Sequence, residues 1–230
     1  MQGTTKILYD IQESFNNLTI INFNYDVSLE YFLYSRIQSF GNFRENLLGI
    51  LKNFSKTHII HVYGSLYKFS WQQEIGENTA TSSNQTQYMN PELYGSFSES
   101  RNENTLRAMQ KAWLYRNNIH VIGGEKHNHL HNSPEIIHAR NSIQDAKNII
   151  FLGYGFDPDN NQLIGFDRGN LNIKEAGSVL TKQICYTNFK GSKKVSKIFS
   201  SVIPEDRQKQ RVFQSDRDVY SALAYDFDLI

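Results

Sequence analysis

The chain has 230 residues, 39% of them apolar and 20% charged, with 24 basic against 23 acidic side chains and a formal net charge of +1. This length serves one globular domain with a sizeable core, and the near balance of charge offers no basic field to grip a phosphate backbone, so nucleic acid is not an expected partner. Cys185 is the sole cysteine, which excludes an intrachain disulfide and a cysteine-rich zinc site, and no apolar run approaches the ~18 residues of a membrane span. The first ten residues lack the continuous apolar stretch of a secretory signal, and a cytoplasmic protein without membrane contact is expected.

Residues 18–23 (LTIINF) are apolar and β-branched, too short for a helix and bounded by asparagines, and are predicted as a buried strand. Leu29, Phe32, Leu33 and Ile37 then recur at helical spacing over 27–37, with Asp26 as N-cap and Glu30 four residues on. A second helix is predicted over 46–54 and a second strand over 59–63, ending on Gly64-Ser65. Strand, helical crossover and strand in that order point to a parallel α/β sheet. From 70 to 104 the composition turns to Ser, Thr, Asn, Gln and Glu with little periodicity, so 70–118 is expected to be an inserted helical and loop module within a single α/β domain spanning 1–230. A helix is predicted over 104–115 and a short strand over 119–122. Pro134 stands where the first turn of a helix tolerates it, with Ile136, Ile137, Arg140, Ile143 and Ala146 continuing that helix. The clearest element is the strand 148–152 (NIIFL), which runs into Gly153-Tyr154-Gly155-Phe156. A helix from Asp159 or Asn160, a strand over 184–187, a basic loop (KGSKK) and a last helix near 217–225 complete the series. The 23 asparagines are dispersed between apolar runs and form no low-complexity block.

In an open α/β sheet ligands bind beyond the carboxyl ends of the strands, so polar residues that directly follow strand runs are the first candidates. Asn24 can orient a hydroxyl or a water by donating and accepting at once, and Asp26 can hold an amide or a developing positive charge. The plainer reading is that Asp26 caps the helix and Asn24 fills the turn. His61 is a candidate general base near neutral pH, against the commoner case of a partly buried histidine on a strand, and Gly64-Ser65 permit close backbone approach to a ligand. Gly153 and Gly155 could offer N–H groups to phosphate or ribose oxygens. His127, His129, His131 and His138 invite a metal reading, but no nearby carboxylate cluster completes a ligand set, and no metal is expected. Lys190, Lys193, Lys194 and Lys197 are read as a solvated face.

The succession FNYD (23–26), HVYGSL (61–66), NIIFLGYGF (148–156) and CYTN (185–188) resembles the NAD-binding core of the sirtuin-like superfamily, in particular the divergent silent-information-regulator-like domains of bacterial anti-phage defence proteins. The resemblance spans 18–188. It implies a Rossmann-like parallel sheet flanked by helices, NAD as substrate, and hydrolysis of NAD to nicotinamide and ADP-ribose by a NAD-depleting effector. It also implies Asn24 as the catalytic asparagine, Asp26 as the acid beside the nicotinamide amide and His61 as proton acceptor. Tyr25, Tyr63, Gly64 and Ser65 fall around the cofactor, Gly153, Tyr154 and Gly155 at its ribose and phosphates, and Asn188 at the adenosine ribose. Deacylating sirtuins hold zinc on four cysteines, so one cysteine favours NAD hydrolysis and no zinc. The chain departs from the pattern twice. Tyr63 precedes the glycine where relatives carry histidine, which leaves His61 on the same face of a period-two strand but about 7 Å along it. Nothing before Leu18 matches the glycine-rich strand-turn-helix that cradles a pyrophosphate, so either the chain is expected to be the downstream part of a split or truncated gene or a second polypeptide completes the site, with a sensor subunit or a homo-oligomer as further partners. The alternative is a nucleotide-binding or scaffolding module without turnover.

Overall fold

The computed structural model describes residues 2–65, 68–72, 88–89, 131–168, 170–171, 182–203 and 211–227. The chain divides into two compact units, Met1–Leu130 and His131–Ile230. Among the described residues the architecture is mixed α/β, and every strand pair is parallel. The predicted helix 104–115, the strand 119–122 and most of the module 70–118 lie outside the described residues.

The first unit begins with helix α1 (Gln2–Asn16), strand β1 (Ile20–Asn22), α2 (Ser28–Gln38), α3 (Arg44–Thr57) and β2 (Ile59–His61), followed by the short pair β3 (Lys68–Phe69) and β4 (Tyr88–Met89). β1 and β2 run parallel with Ile20 opposite Ile59 and Asn22 opposite His61, which the two-helix crossover between them makes possible. The strand predicted over 18–23 is shorter because the Leu18 N–H still bonds the Phe15 carbonyl at the end of α1, 3.2 Å away. α3 sets Leu47, Leu51 and Phe54 on one buried stripe, and Ile37 and Ile59 close over it. Phe15 of α1 packs on Phe54 with ring centroids 4.5 Å apart. The stripe predicted for α2 is corrected in one place: Phe32 is exposed, with the Arg36 guanidinium over its ring, and the fully buried positions at the start of α2 are Val27 and Glu30.

Gly49 lies inside α3, exposed, with no atom within 4 Å of where a Cβ would stand. A helix-interior glycine costs roughly 0.5–1 kcal/mol relative to alanine. Gly49→Ala is therefore expected to raise stability by about that amount, read as a higher urea midpoint at unchanged slope. A lower midpoint would contradict the open space at this position.

The second unit holds α4 (Pro134–Asp145), β5 (Asn148–Phe151), α5 (Pro158–Leu163), β6 (Gln183–Thr187), α6 (Lys193–Val202), β7 (Val212–Ser215) and α7 (Val219–Ser221), which runs into a π turn over Ala222–Asp226. β5, β6 and β7 form one parallel sheet with Ile150, Cys185 and Phe213 in register. Ser133 caps α4, its hydroxyl accepting the Ile136 N–H, and Pro134 takes the first helical position. The buried Lys182 ammonium donates to the carbonyls of Gln144 and Ala146 at 2.5 and 2.7 Å and so closes the other end of the same helix. α5 starts at Pro158, one residue before the earlier of the two starts predicted, because the Asp157 carboxylate accepts from the N–H groups of Asp159 and Asn160. Two of the five residues of the predicted basic loop are helix: Lys193 and Lys194 open α6, whose Val195, Ile198, Phe199 and Val202 recur at helical spacing. On one side of the sheet Phe151 and Tyr186 join Tyr154, Phe156, Phe166 and Phe199 in a continuous aromatic core. On the other, Cys185 packs with Ala222 and Phe227. No described helix is long and apolar enough to cross a membrane.

Candidate functional site

In the first unit, the carboxyl ends of β1 and β2 lie side by side, since Asn22 and His61 are register partners. The chain leaves β1 through a tight corner. The Asn22 side-chain oxygen accepts the Asn24 N–H at 2.9 Å, and the Asp26 carboxylate accepts the Ser28 N–H at 2.9 Å. Asp26 thus satisfies one open N–H at the start of α2, although the residue at the N-cap position itself is Val27. The Ser28 hydroxyl bond holds the Asp26 carboxyl below its ordinary range, against a burial penalty and with help from the Ser28 N–H and the His61 charge.

His61 is the centre of this corner. Its Nδ1 lies 3.1 Å from the Asn24 carbonyl oxygen, and its Nε2 lies 2.8 Å from Oε1 of Glu30. Burial by itself depresses an imidazolium, but the hydrogen bond and charge of Glu30, the Asn24 carbonyl and the charge of Asp26 outweigh it, and the pKa stands above the ordinary 6.5. Asn24 is thereby gripped through its backbone at N–H and C=O while the residue remains exposed. Tyr63 is buried, its ring 5.9 Å from that of Phe23 and 6.2 Å from that of Tyr25. β2 ends at His61, and the Gly64 N–H bonds the His61 carbonyl at 3.1 Å with Gly64 at φ +78°. The extended geometry that would set His61 and Tyr63 on one strand face therefore stops short of Tyr63. Ser65 follows half-buried.

The remaining candidates belong to the second unit. Gly153 adopts φ +63°, and its N–H donates to the Thr187 hydroxyl at 2.8 Å. Tyr154 is half-buried and stacks on Phe151 at 5.3 Å, while Gly155 is exposed. Asn188 is buried and occupied: its Nδ2 donates to the Ser192 carbonyl and the Ser196 hydroxyl, and its Oδ1 accepts the Ser192 N–H. Its amide closes the turn between β6 and α6. The His131 ring accepts from the Arg140 guanidinium at 2.8 Å. Among the described residues no group of three or more His, Cys, Asp or Glu is placed to hold a metal, and His127 and His129 lie outside them.

Glu30 was not selected from the sequence as a site residue, and Thr187 stood only as the neighbour of Asn188 in CYTN. Glu30, only 2% exposed, is the partner of His61, and Thr187 is the partner of Gly153. For Glu30 a signal exists: it shares the helical spacing of Val27, Tyr34 and Ile37, so a carboxylate stands on the apolar stripe of α2. No family model, no curated protein and no solved structure matches the chain.

Proposed function

We propose that the protein hydrolyses the N-glycosidic bond of NAD, releasing nicotinamide and ADP-ribose, as the sirtuin-like resemblance of its strand-end motifs implies. One observation supports this above others: an exposed asparagine, an ionised carboxylate and a histidine gather at the carboxyl edge of a parallel strand pair, the edge at which such sheets bind ligands. Nicotinamide departs as a neutral pyridine with the electron pair of the C–N bond, leaving an oxocarbenium-like C1′. Water then adds to that carbon and its proton passes to solvent. Asn24 would orient the water or a ribose hydroxyl with its amide, and Asp26 would accept from the nicotinamide carboxamide. The resemblance extends the proposal to NAD depletion in anti-phage defence, in the cytoplasm, with a second polypeptide, sensor subunit or further copies of the chain as partners.

Chromatographic detection of nicotinamide from NAD incubated with the purified chain tests the reading. Turnover is expected, and Asn24→Ala should lower kcat by about 100- to 1,000-fold with an unchanged circular dichroism spectrum. A wild-type chain that releases no nicotinamide even when a polypeptide carrying the glycine-rich strand-turn-helix is supplied, or an Asn24→Ala chain as active as wild type, would reject it. A second reading, nucleotide binding without turnover, draws on Tyr63 before Gly64, where relatives carry histidine. It predicts calorimetric binding of ADP-ribose with no product from NAD.

A further inference from the structure

We infer that Glu30 and His61 form a charged clasp that positions Asn24, and that His61 works as an imidazolium donor to this corner and not as the base of the reaction. The inference rests on the NAD-hydrolysing reading for its kinetic consequence only. The Asn24 carbonyl can only accept, so Nδ1 of His61 carries a proton. Nε2 faces Oε1 of a carboxylate, so the ring is doubly protonated or shares its second proton with Glu30. In neither case does it aim a lone pair at a substrate. The clasp ties three places in the chain, the end of β2, the corner after β1 and the first turn of α2, across sequence separations of 37 and 31 residues. Glu30 cannot turn to solvent: the residue is 2% exposed, and its second oxygen, Oε2, is buried with no hydrogen-bond partner among the described residues. A carboxylate so enclosed depends on the imidazolium beside it.

The sign of the pH dependence separates a clasp from a base. Among the described residues, Glu30 on α2 and Asp26 at the corner are the charges that raise the pKa of the ring. The folded pKa of His61 is raised, so the stability its imidazolium contributes is fully present below the unfolded value near 6.5 and is lost as pH rises through the folded pKa. A clasp therefore lets go on the alkaline side, whereas a general base gains activity there. Glu30→Gln discriminates further. The new amide N–H can donate to Nε2 of a neutral ring whose Nδ1–H still serves the Asn24 carbonyl, keeping the contacts without the charge.

Long-range proton–nitrogen NMR of the labelled full chain, with the His61 signals assigned by their loss in His61→Gln, reads the ring directly from pH 5 to 9. Expected are two protonated nitrogens at pH 6.5, a pKa above the ordinary value, and a lower pKa in Glu30→Gln. A neutral ring at pH 6.5, or a pKa that Glu30→Gln does not move, would overturn the clasp. The rate of nicotinamide release, followed over the same range, should fall with rising pH at the NMR-determined pKa, and Glu30→Gln should lack that fall. A rate that instead rises through that pKa would restore His61 as the base and end the inference. If no variant releases nicotinamide, the proposed activity fails while the NMR result still decides the clasp.

Discussion

His61→Leu is expected to cost about 3–5 kcal/mol in urea unfolding at pH 7, and adding Glu30→Met is expected to recover most of that loss. Leucine keeps much of the volume of the ring but leaves both oxygens of a carboxylate that is 2% exposed without a donor. Removing the second charge removes the penalty, because an apolar pair of similar size packs without desolvating an ion. The quantity to extract is the coupling energy of the double-mutant cycle, here large and opposite in sign to the two single losses. Losses that simply add, with a coupling under about 0.5 kcal/mol, would mean that the pair is not a unit and that Glu30 finds another donor. Because the His61 ring is itself mostly buried, with its side chain 11% exposed, solvent screening does not dilute this effect as it would a surface pair.

Phe156→Ala should destabilise the second unit by about 3–5 kcal/mol. The ring is fully buried among Phe151, Tyr154, Phe166, Tyr186 and Phe199, with centroids 4.9 to 5.9 Å away, so truncation opens a cavity that rigid neighbouring rings fill poorly. Phe156 also stands at φ +54°, a left-handed conformation that costs a non-glycine residue about 1–2 kcal/mol. The aromatic core supplies what holds it there, together with the Asn161 side-chain amide donating to its carbonyl at 3.1 Å. Comparing Phe156→Gly with Phe156→Ala isolates the backbone contribution: both create the cavity, but glycine is relieved of the strain. The glycine variant should be the more stable of the two, the reverse of their usual order. Alanine proving more stable would show that the backbone relaxes out of this conformation once the ring is gone.

Both predictions concern features that differ in how far sequence exposes them. The helix from Pro134 was legible because its signals are local: Pro134 at the first position and Ile136 and Ile143 at helical spacing, to which the structure adds the Ser133 cap. The strands at Ile59, Asn148 and Gln183 start within a residue of expectation because short β-branched runs stand between polar turns, although β2 ends two residues early. β7 was not legible. Its four residues, VFQS, contain only two apolar side chains, and pairing with β6 makes them a strand. At the site, Asn24, Asp26 and His61 could be chosen because they stand at or just after strand ends. Glu30 was passed over as an acid in a first helical turn, where such residues are routine. The strand-end glycine at 153 was legible as a turn, but not the Thr187 hydroxyl that takes its N–H, since that partner lies 34 residues away.

The sequence by itself determined the mixed α/β character, the parallel sense implied by helical crossovers and the polar residues at strand ends, since these follow from periodicity and turn chemistry among near neighbours. Only the tertiary structure decided what those polar groups are bonded to. Hydrogen bonds join whatever the strand register and helix packing bring within about 3 Å, and no local pattern specifies that His61 should meet the Asn24 carbonyl on one side and a buried Glu30 on the other.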